Sequence, residues 1–349
     1  MVATYQELMD MIRYRAWECE IPFYGMFELT ERCNLKCRFC YVCNRGLSNE
    51  KSSERTTGEW LGLIKEAADV GMLGCAFTGG DPFMRDDFEE IYCKSYDMGL
   101  RISIFTNGIL IGNKQTAYLA KRVPDIVSIS VYGASEDSYE QICGNGSNYF
   151  QMRLSLDRLH EAGIPFEIKV LAINPLLGEF EAIGHMAQTY QCPSSFSEYL
   201  GPGRDDPERM LEEWRIPNGL LKSSVQAFHK GSCDLLEASW RGPIPLAKER
   251  RNLSAIPCNA GKCFFCITHD GRMLGCNLLT CFSTYPFQNG FQNAWMELKQ
   301  QVKAARACDE CSTCPEYDFC TRCAANRFQE TGSIEHCSAY LKEMVHALI

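Results

Sequence analysis

The 349-residue sequence contains no run of about 18 apolar residues, so no membrane-spanning helix is expected. No basic-then-apolar segment opens it either. Residues 1–20 read instead as an amphipathic helix, and the cytoplasm is the expected compartment. The 35 lysines and arginines stand against 44 acidic residues and form no strong cluster, which argues against a nucleic-acid partner. The six histidines show no zinc-like pairing, and His269, followed by Asp270 and Gly271, reads as a turn residue. No internal repeat and no low-complexity tract occurs. What remains is an ordinary soluble composition, 46% hydrophobic and 23% charged, with length for about two domains.

The 21 cysteines break that pattern. A long chain without a secretion signal has little use for a disulfide framework, so dense cysteine points to metal or redox chemistry. Eleven cysteines fall within 258–337 and four within 33–43, which implies two metal regions far apart in sequence. Cys19, Cys75, Cys93, Cys143, Cys192, Cys233 and Cys281 read most simply as small buried hydrophobes.

From residue 23 to about 199, short apolar strands alternate with amphipathic helices. Strands are expected at 23–30, 72–78, 101–106, 125–131, 164–172 and 194–200. Helices are expected at 57–70, 85–98, 114–122, 149–162 and 177–190. Repeated βα units predict an α/β fold with a parallel sheet. Six units predict a partial (β/α)6 TIM-like barrel with functional groups at the strand C-termini. Residues 207–242 read as helical with turns, and Pro243 and Pro245 mark a linker. The expected organisation is an N-terminal helix at 1–22, the barrel at 23–200, a helical linker at 201–252 and a small Cys-rich iron–sulfur domain at 253–349. That last segment is too poor in long apolar elements to build a large core and needs clusters or metals as staples.

After the first strand comes Cys33-Asn-Leu-Lys-Cys37-Arg-Phe-Cys40. Three thiolates at this spacing can wrap one 4Fe–4S cubane and leave one iron open for a ligand. A structural zinc stays a competing reading, because Cys43 makes a fourth possible ligand. At the second strand's end stands Thr78-Gly79-Gly80-Asp81-Pro82, at the third Thr106-Asn107-Gly108, and at the fourth Ser128-Ile-Ser130-Val-Tyr132-Gly133.

In this order the motifs resemble the radical S-adenosylmethionine (SAM) superfamily. The resemblance implies that Cys33, Cys37 and Cys40 hold a cluster whose open iron chelates the SAM amino and carboxylate groups. It places Phe39 near the adenine. Gly79, Gly80 and Asp81 match the family's GGEP motif, which holds the SAM amine, with Asp for the usual Glu. Asn107 and Ser130 match strand-end contacts to the ribose, and Tyr132 stands where many relatives carry Asp. Lys169 on the fifth strand faces either the SAM carboxylate or solvent.

The C-terminal cysteines resemble the SPASM domain of radical SAM enzymes that modify peptides. That resemblance implies two auxiliary 4Fe–4S clusters, one on Cys258, Cys263, Cys276 and Cys323 and one on Cys311, Cys314, Cys320 and Cys337. The gap between Cys320 and Cys323 is one residue shorter than the family's usual gap, and Cys266 and Cys308 are extra. Two zinc sites remain the competing reading.

The implied function is that of a radical SAM peptide maturase, acting on a peptide or protein and drawing electrons from a donor such as flavodoxin or ferredoxin. About 20 residues precede the first strand, fewer than a leader-peptide recognition domain needs, so recognition is expected to fall either to a separate leader-binding protein or to the barrel face. A sulfatase-maturing, formylglycine-generating enzyme shares this layout. A non-catalytic iron–sulfur or zinc protein is the alternative of another class. No catalytic acid or base is assigned.

Overall fold

The computed structural model of the protein describes residues 5–42, 54–204, 211–232 and 254–349. Among them, no helix is long and apolar enough to cross a membrane. Cys43, Cys233 and the Pro243/Pro245 linker lie outside the described residues.

Helix α1 (Tyr5–Cys19) precedes six βα units. Strands β1 (Tyr24–Glu28), β2 (Gly74–Thr78), β3 (Arg101–Thr106), β4 (Ile126–Ser130), β5 (Phe166–Leu171) and β6 (Ser194–Ser197) pair in parallel in that order. Between them lie α2 (Thr57–Asp69), α3 (Phe88–Asp97), α4 (Asn113–Lys121), α5 (Glu136–Cys143), α6 (Asn148–Glu161) and α7 (Phe180–Tyr190). The expected partial (β/α)6 barrel is the observed one. Helix α2 starts where Thr56 accepts a bond from Glu59 N and Glu59 accepts one from Thr56 N, a reciprocal cap.

Strand side chains alternate between faces. Phe27, Cys75, Phe77, Ile102, Ile104, Val127, Ile129, Ile168 and Val170 join the large core under the helices. Their neighbours Met26 and Ala76 form a second, smaller cluster inside the barrel with Phe264, Cys266 and Leu274.

Helix α5 was not expected. Its signals are short: Ser135 caps Ser138 N, two acidic residues fill the first turn, and Gly144 ends it in the left-handed region. Within the 207–242 stretch, α8 (Asn218–Gly231) forms and packs on α7.

Beyond α8 the sheet continues. Strand β7 (Phe264–Ile267) pairs in parallel with β1 on the side away from β2, and β8 (Met273–Cys276) and β9 (Leu279–Thr284) follow antiparallel. Among the described residues the sheet thus has nine strands, in the order β6-β5-β4-β3-β2-β1-β7-β8-β9. A short helix α9 (Pro286–Asn289) leads into α10 (Phe291–Ala304), and α11 (Ala324–Thr331) and α12 (Ala339–Leu348) complete the fold. Phe265, Phe291, Trp295 and Leu298 from this segment belong to the barrel's own core. The segment's own cluster, around Ile256, Leu279, Val302 and Ile334, is small, and its larger apolar residues pack into the barrel's core.

Candidate functional site

From the end of β1 the chain runs Leu29-Thr30-Glu31-Arg32 into Cys33. That run lies along the end of β2: Leu29 N donates to Thr78 O (2.9 Å), Gly80 N to Thr30 O (2.8 Å) and Asp81 N to Arg32 O (2.9 Å). A Cβ on Gly79, whose φ is +144°, would sit 2.2 Å from Thr30 O, and one on Gly80 would sit 2.3 Å from Arg32 O. The two glycines therefore admit the backbone that carries the cysteine loop. Arg32 grips Glu54 through Nε (2.8 Å) and Nη2 (3.1 Å), and Arg85 Nη1 lies 3.6 Å from the same carboxylate.

Cys33, Cys37 and Cys40 are all half-buried. The Cys33 sulfur accepts N–H bonds from Leu35 N (3.4 Å) and Asn107 Nδ2 (3.6 Å). Donors aimed at sulfur suit a thiolate ligand. Burial raises the Cys33 thiol, and the nearby Asp81, Cys37 and Cys40 add to it, so the three thiols share one neighbourhood. Cys37 Sγ lies 3.8 Å from Cys143 Sγ, which places next to the loop a cysteine read from sequence as a plain hydrophobe.

Phe39 is buried, its ring centroid 6.1 Å from that of Tyr132 and 5.6 Å from that of Trp214. Trp214 belongs to this aromatic group without any signal in the sequence. Asp81 is buried and accepts three bonds: Phe83 N (3.0 Å), Thr106 Oγ1 (2.6 Å) and Asn107 N (3.0 Å). Burial pushes its acid up to about 6 while these donors pull it back. A carboxylate has about four acceptor sites, so about one remains for an ammonium group. Besides its bond to Cys33, Asn107 Nδ2 donates to Asn34 Oδ1 (2.8 Å), which makes Asn107 a brace for the loop.

Strand register places three expected SAM contacts at one level. Ser130 pairs with Lys169, and Ile129 with Thr106, so Asn107 follows at the same height. Lys169 Nζ lies 3.3 Å from Glu167 Oε1 and 3.9 Å over the Phe105 ring. One rung deeper are Glu28 and Glu167, both buried and both unanticipated.

The C-terminal thiols fall into two neighbourhoods. Burial pushes Cys276 up to about 12, with Cys323 and Cys258 adding to it, and Cys263 up to about 12, with Cys258 nearby. Cys311, Cys314, Cys320 and Cys337 line a single cleft with Leu341, Met344 and Val345. Cys323, at the start of α11, reaches the same cleft. Cys308 is buried and lies against Cys311. Cys266 lies inside the barrel, its thiol donating to Glu28 Oε1 at 3.9 Å, with Cys276 nearby. Among the described residues, no three His, Cys, Asp or Glu side chains converge at a single ion's distance. His269 sits in its expected turn, 3.4 Å from Glu31.

Known proteins match this arrangement. The pattern of the Radical SAM superfamily covers residues 27–190. The AdoMet-dependent heme synthase of Oleidesulfovibrio alaskensis is 24% identical, covering 88% of this chain and 84% of its own. The PqqA peptide cyclase of Rhizobium meliloti is 28% identical, covering 82% of this chain and 76% of its own. The structure of Streptococcus suis SuiB bound to precursor peptide SuiA superposes with a TM-score of 0.69 at 16% identity, over 96% of this chain and 79% of SuiB. With a three-cysteine loop at the first strand's end and a glycine pair cradling it, the chain belongs, through residues 27–190, to the radical SAM superfamily of enzymes.

Proposed function

We propose that this enzyme is a peptide maturase. It abstracts a hydrogen from a peptide or protein residue, with net oxidation or cross-linking as the result. Three 4Fe–4S clusters serve it. One sits on Cys33, Cys37 and Cys40, one on Cys258, Cys263, Cys276 and Cys323, and one on Cys311, Cys314, Cys320 and Cys337. The observation that carries the reading is the layout: a three-cysteine loop at the barrel mouth, with one further cysteine group beside the extension of the same sheet and another in the segments that follow α10. The likeness to a PqqA peptide cyclase, and in fold to SuiB bound to a precursor peptide, supports a peptide substrate.

The residues divide the work. A cluster held by Cys33, Cys37 and Cys40 would supply, with SAM bound, the electron that cleaves a carbon–sulfur bond of SAM and yields methionine and a 5′-deoxyadenosyl radical. Phe39, Tyr132 and Trp214 offer the adenine an aromatic wall. Asp81 keeps about one acceptor for the SAM amine, Ser130 and Asn107 stand level for the ribose, and Lys169 offers a cation to the carboxylate. The buried rung beneath them keeps water from entering through the barrel. A one-electron donor such as flavodoxin or ferredoxin and a separate leader-binding protein complete the expected system.

A second reading is haem synthesis, favoured by the likeness to an AdoMet-dependent heme synthase over 88% of the chain. The test uses anaerobically reconstituted protein, SAM and dithionite. 5′-Deoxyadenosine is expected, together with loss of two hydrogens from a candidate peptide encoded beside the gene. Conversion of a tetrapyrrole but no peptide would establish the second reading. Absence of 5′-deoxyadenosine would reject both and leave a non-catalytic metal protein.

A further inference from the structure

Glu167 is an acid in an unlikely place. It sits mid-strand on β5, 1% exposed, on the face that looks into the barrel. One oxygen, Oε1, accepts from Ser128 Oγ, the residue directly across in β4, and lies 3.3 Å from Lys169 Nζ. The other oxygen, Oε2, is buried with no hydrogen-bond partner. A carboxylate so placed is costly unless a cation compensates it, and Lys169 is the cation the structure sets beside it.

Lys169 is held from two directions. Glu167 lies below it by one strand repeat, and the Phe105 ring from β3 lies 3.9 Å under its ammonium. Both attractions act on the charged form. They leave a partly exposed ammonium, on a side chain 31% exposed whose backbone stands at the level of Ser130 and Asn107. A lysine merely solvated at a strand end needs neither partner.

We infer that Glu167 is a positioning residue. Through Lys169, and with Phe105 as backstop, it fixes an ammonium that reads the carboxylate of the bound cofactor. Glu167 itself touches neither cofactor nor substrate. This inference rests on the SAM site described above and deepens it.

The experiment compares SAM with decarboxylated SAM, which keeps the amine and sulfonium but lacks the carboxylate. Dissociation constants come from perturbation of the first cluster's electron paramagnetic resonance signal in reconstituted protein. The wild type is expected to prefer SAM by more than the roughly ten- to hundredfold of one charge-assisted bond, because the analogue also loses the carboxylate's contact with the open iron. Lys169→Met should cut that preference by roughly ten- to a hundredfold, leaving the share that belongs to the iron, with decarboxylated SAM bound as before. Glu167→Gln keeps the volume and the Ser128 contact, and should cut the preference about tenfold or less without weakening the analogue. Phe105→Leu should do the same more mildly. Equal losses for both ligands in Glu167→Gln would mean that the residue only supports the fold, and would overturn the inference. So would an undiminished preference in Lys169→Met. If no variant and no wild type binds either ligand, the SAM site itself fails, which is a separate result.

Discussion

Arg204 donates to both oxygens of Glu28, at 2.7 and 2.8 Å, and neither side chain touches solvent. Glu28 ends β1, and Arg204 follows β6, so the pair joins the first and sixth strands of the parallel array. Arg204 also donates to Asn277 O (3.2 Å), between β8 and β9. One guanidinium thus ties the barrel shut and fastens the cysteine-bearing hairpin to it.

Breaking a buried pair leaves an uncompensated charge, which typically costs about 3–5 kcal/mol. Glu28→Gln and Arg204→Met are each expected to lose stability on that scale. The double variant Glu28→Met with Arg204→Met should lose less than the singles, because no charge is stranded. Denaturant melts of the four proteins check this. Single variants within about 1 kcal/mol of wild type would show that the pair is dispensable.

Iron analysis bears on the cysteine sets. Three cubanes predict about twelve irons per chain after anaerobic reconstitution. Replacing Cys311, Cys314, Cys320 and Cys337 together by Ala should remove about four of them. If the second cluster uses those four thiols, Cys308→Ala should keep the full count although Cys308 lies against Cys311. Stoichiometric zinc with a single cubane would sink the auxiliary assignment.

The first cluster is expected to depend on three thiols. The triple variant of Cys33, Cys37 and Cys40 to Ala should retain the auxiliary clusters and form no 5′-deoxyadenosine. Cys43→Ala should retain everything. Loss of the first cluster in Cys43→Ala would make that site four-coordinate and close the open iron.

Asp81 carries two duties that one substitution separates. Asp81→Ala leaves Phe83 N, Thr106 Oγ1 and Asn107 N without their acceptor, so stability should fall by about 1–3 kcal/mol along with SAM affinity. Asp81→Glu restores the charge but not the reach, since the added methylene displaces the oxygen that caps Phe83 N. Glu at this position, usual in the family, is therefore expected to lower the melting temperature here. An Asp81→Glu variant that melts and binds SAM like wild type would show that the turn adapts freely.

A methyl group at either glycine of the pair would push on backbone rather than on a movable side chain. Gly80→Ala is expected to lower the iron retained by the first cluster without touching the auxiliary irons. Full iron content in that variant would mean that the loop does not depend on this contact.

Much of this was legible in the sequence. The six strands show because alternating apolar residues bounded by turns leave a local pattern. Cys33, Gly79, Asn107 and Ser130 stand out in the sequence because each lies at or just past a strand end, and Lys169 because it is a cation within an apolar strand. The pairing of β7 with β1 left no such trace: it depends on Phe265 lying over Gly25, where a Cβ would fall 2.4 Å from the ring. Trp214 reaches Phe39 from an irregular segment, and Cys143 reaches Cys37 from α5. Contacts of that kind are set by three-dimensional packing and not by any spacing along the chain.

Strand β1 has a neighbour on each side, and the two arrive at very different times. Tyr24 pairs with Gly74 on one side and with Phe264 on the other. While the polypeptide is being synthesised, the second edge of β1 stays unpaired until most of the chain has emerged. Long-range parallel pairing is slow to form, and an open strand edge invites association with other chains. The barrel is therefore not a folding unit that finishes before the cysteine-rich segment is made. A chain ending ahead of β7 would present that edge to solvent, and the Phe265 side of the core would be left without its cover.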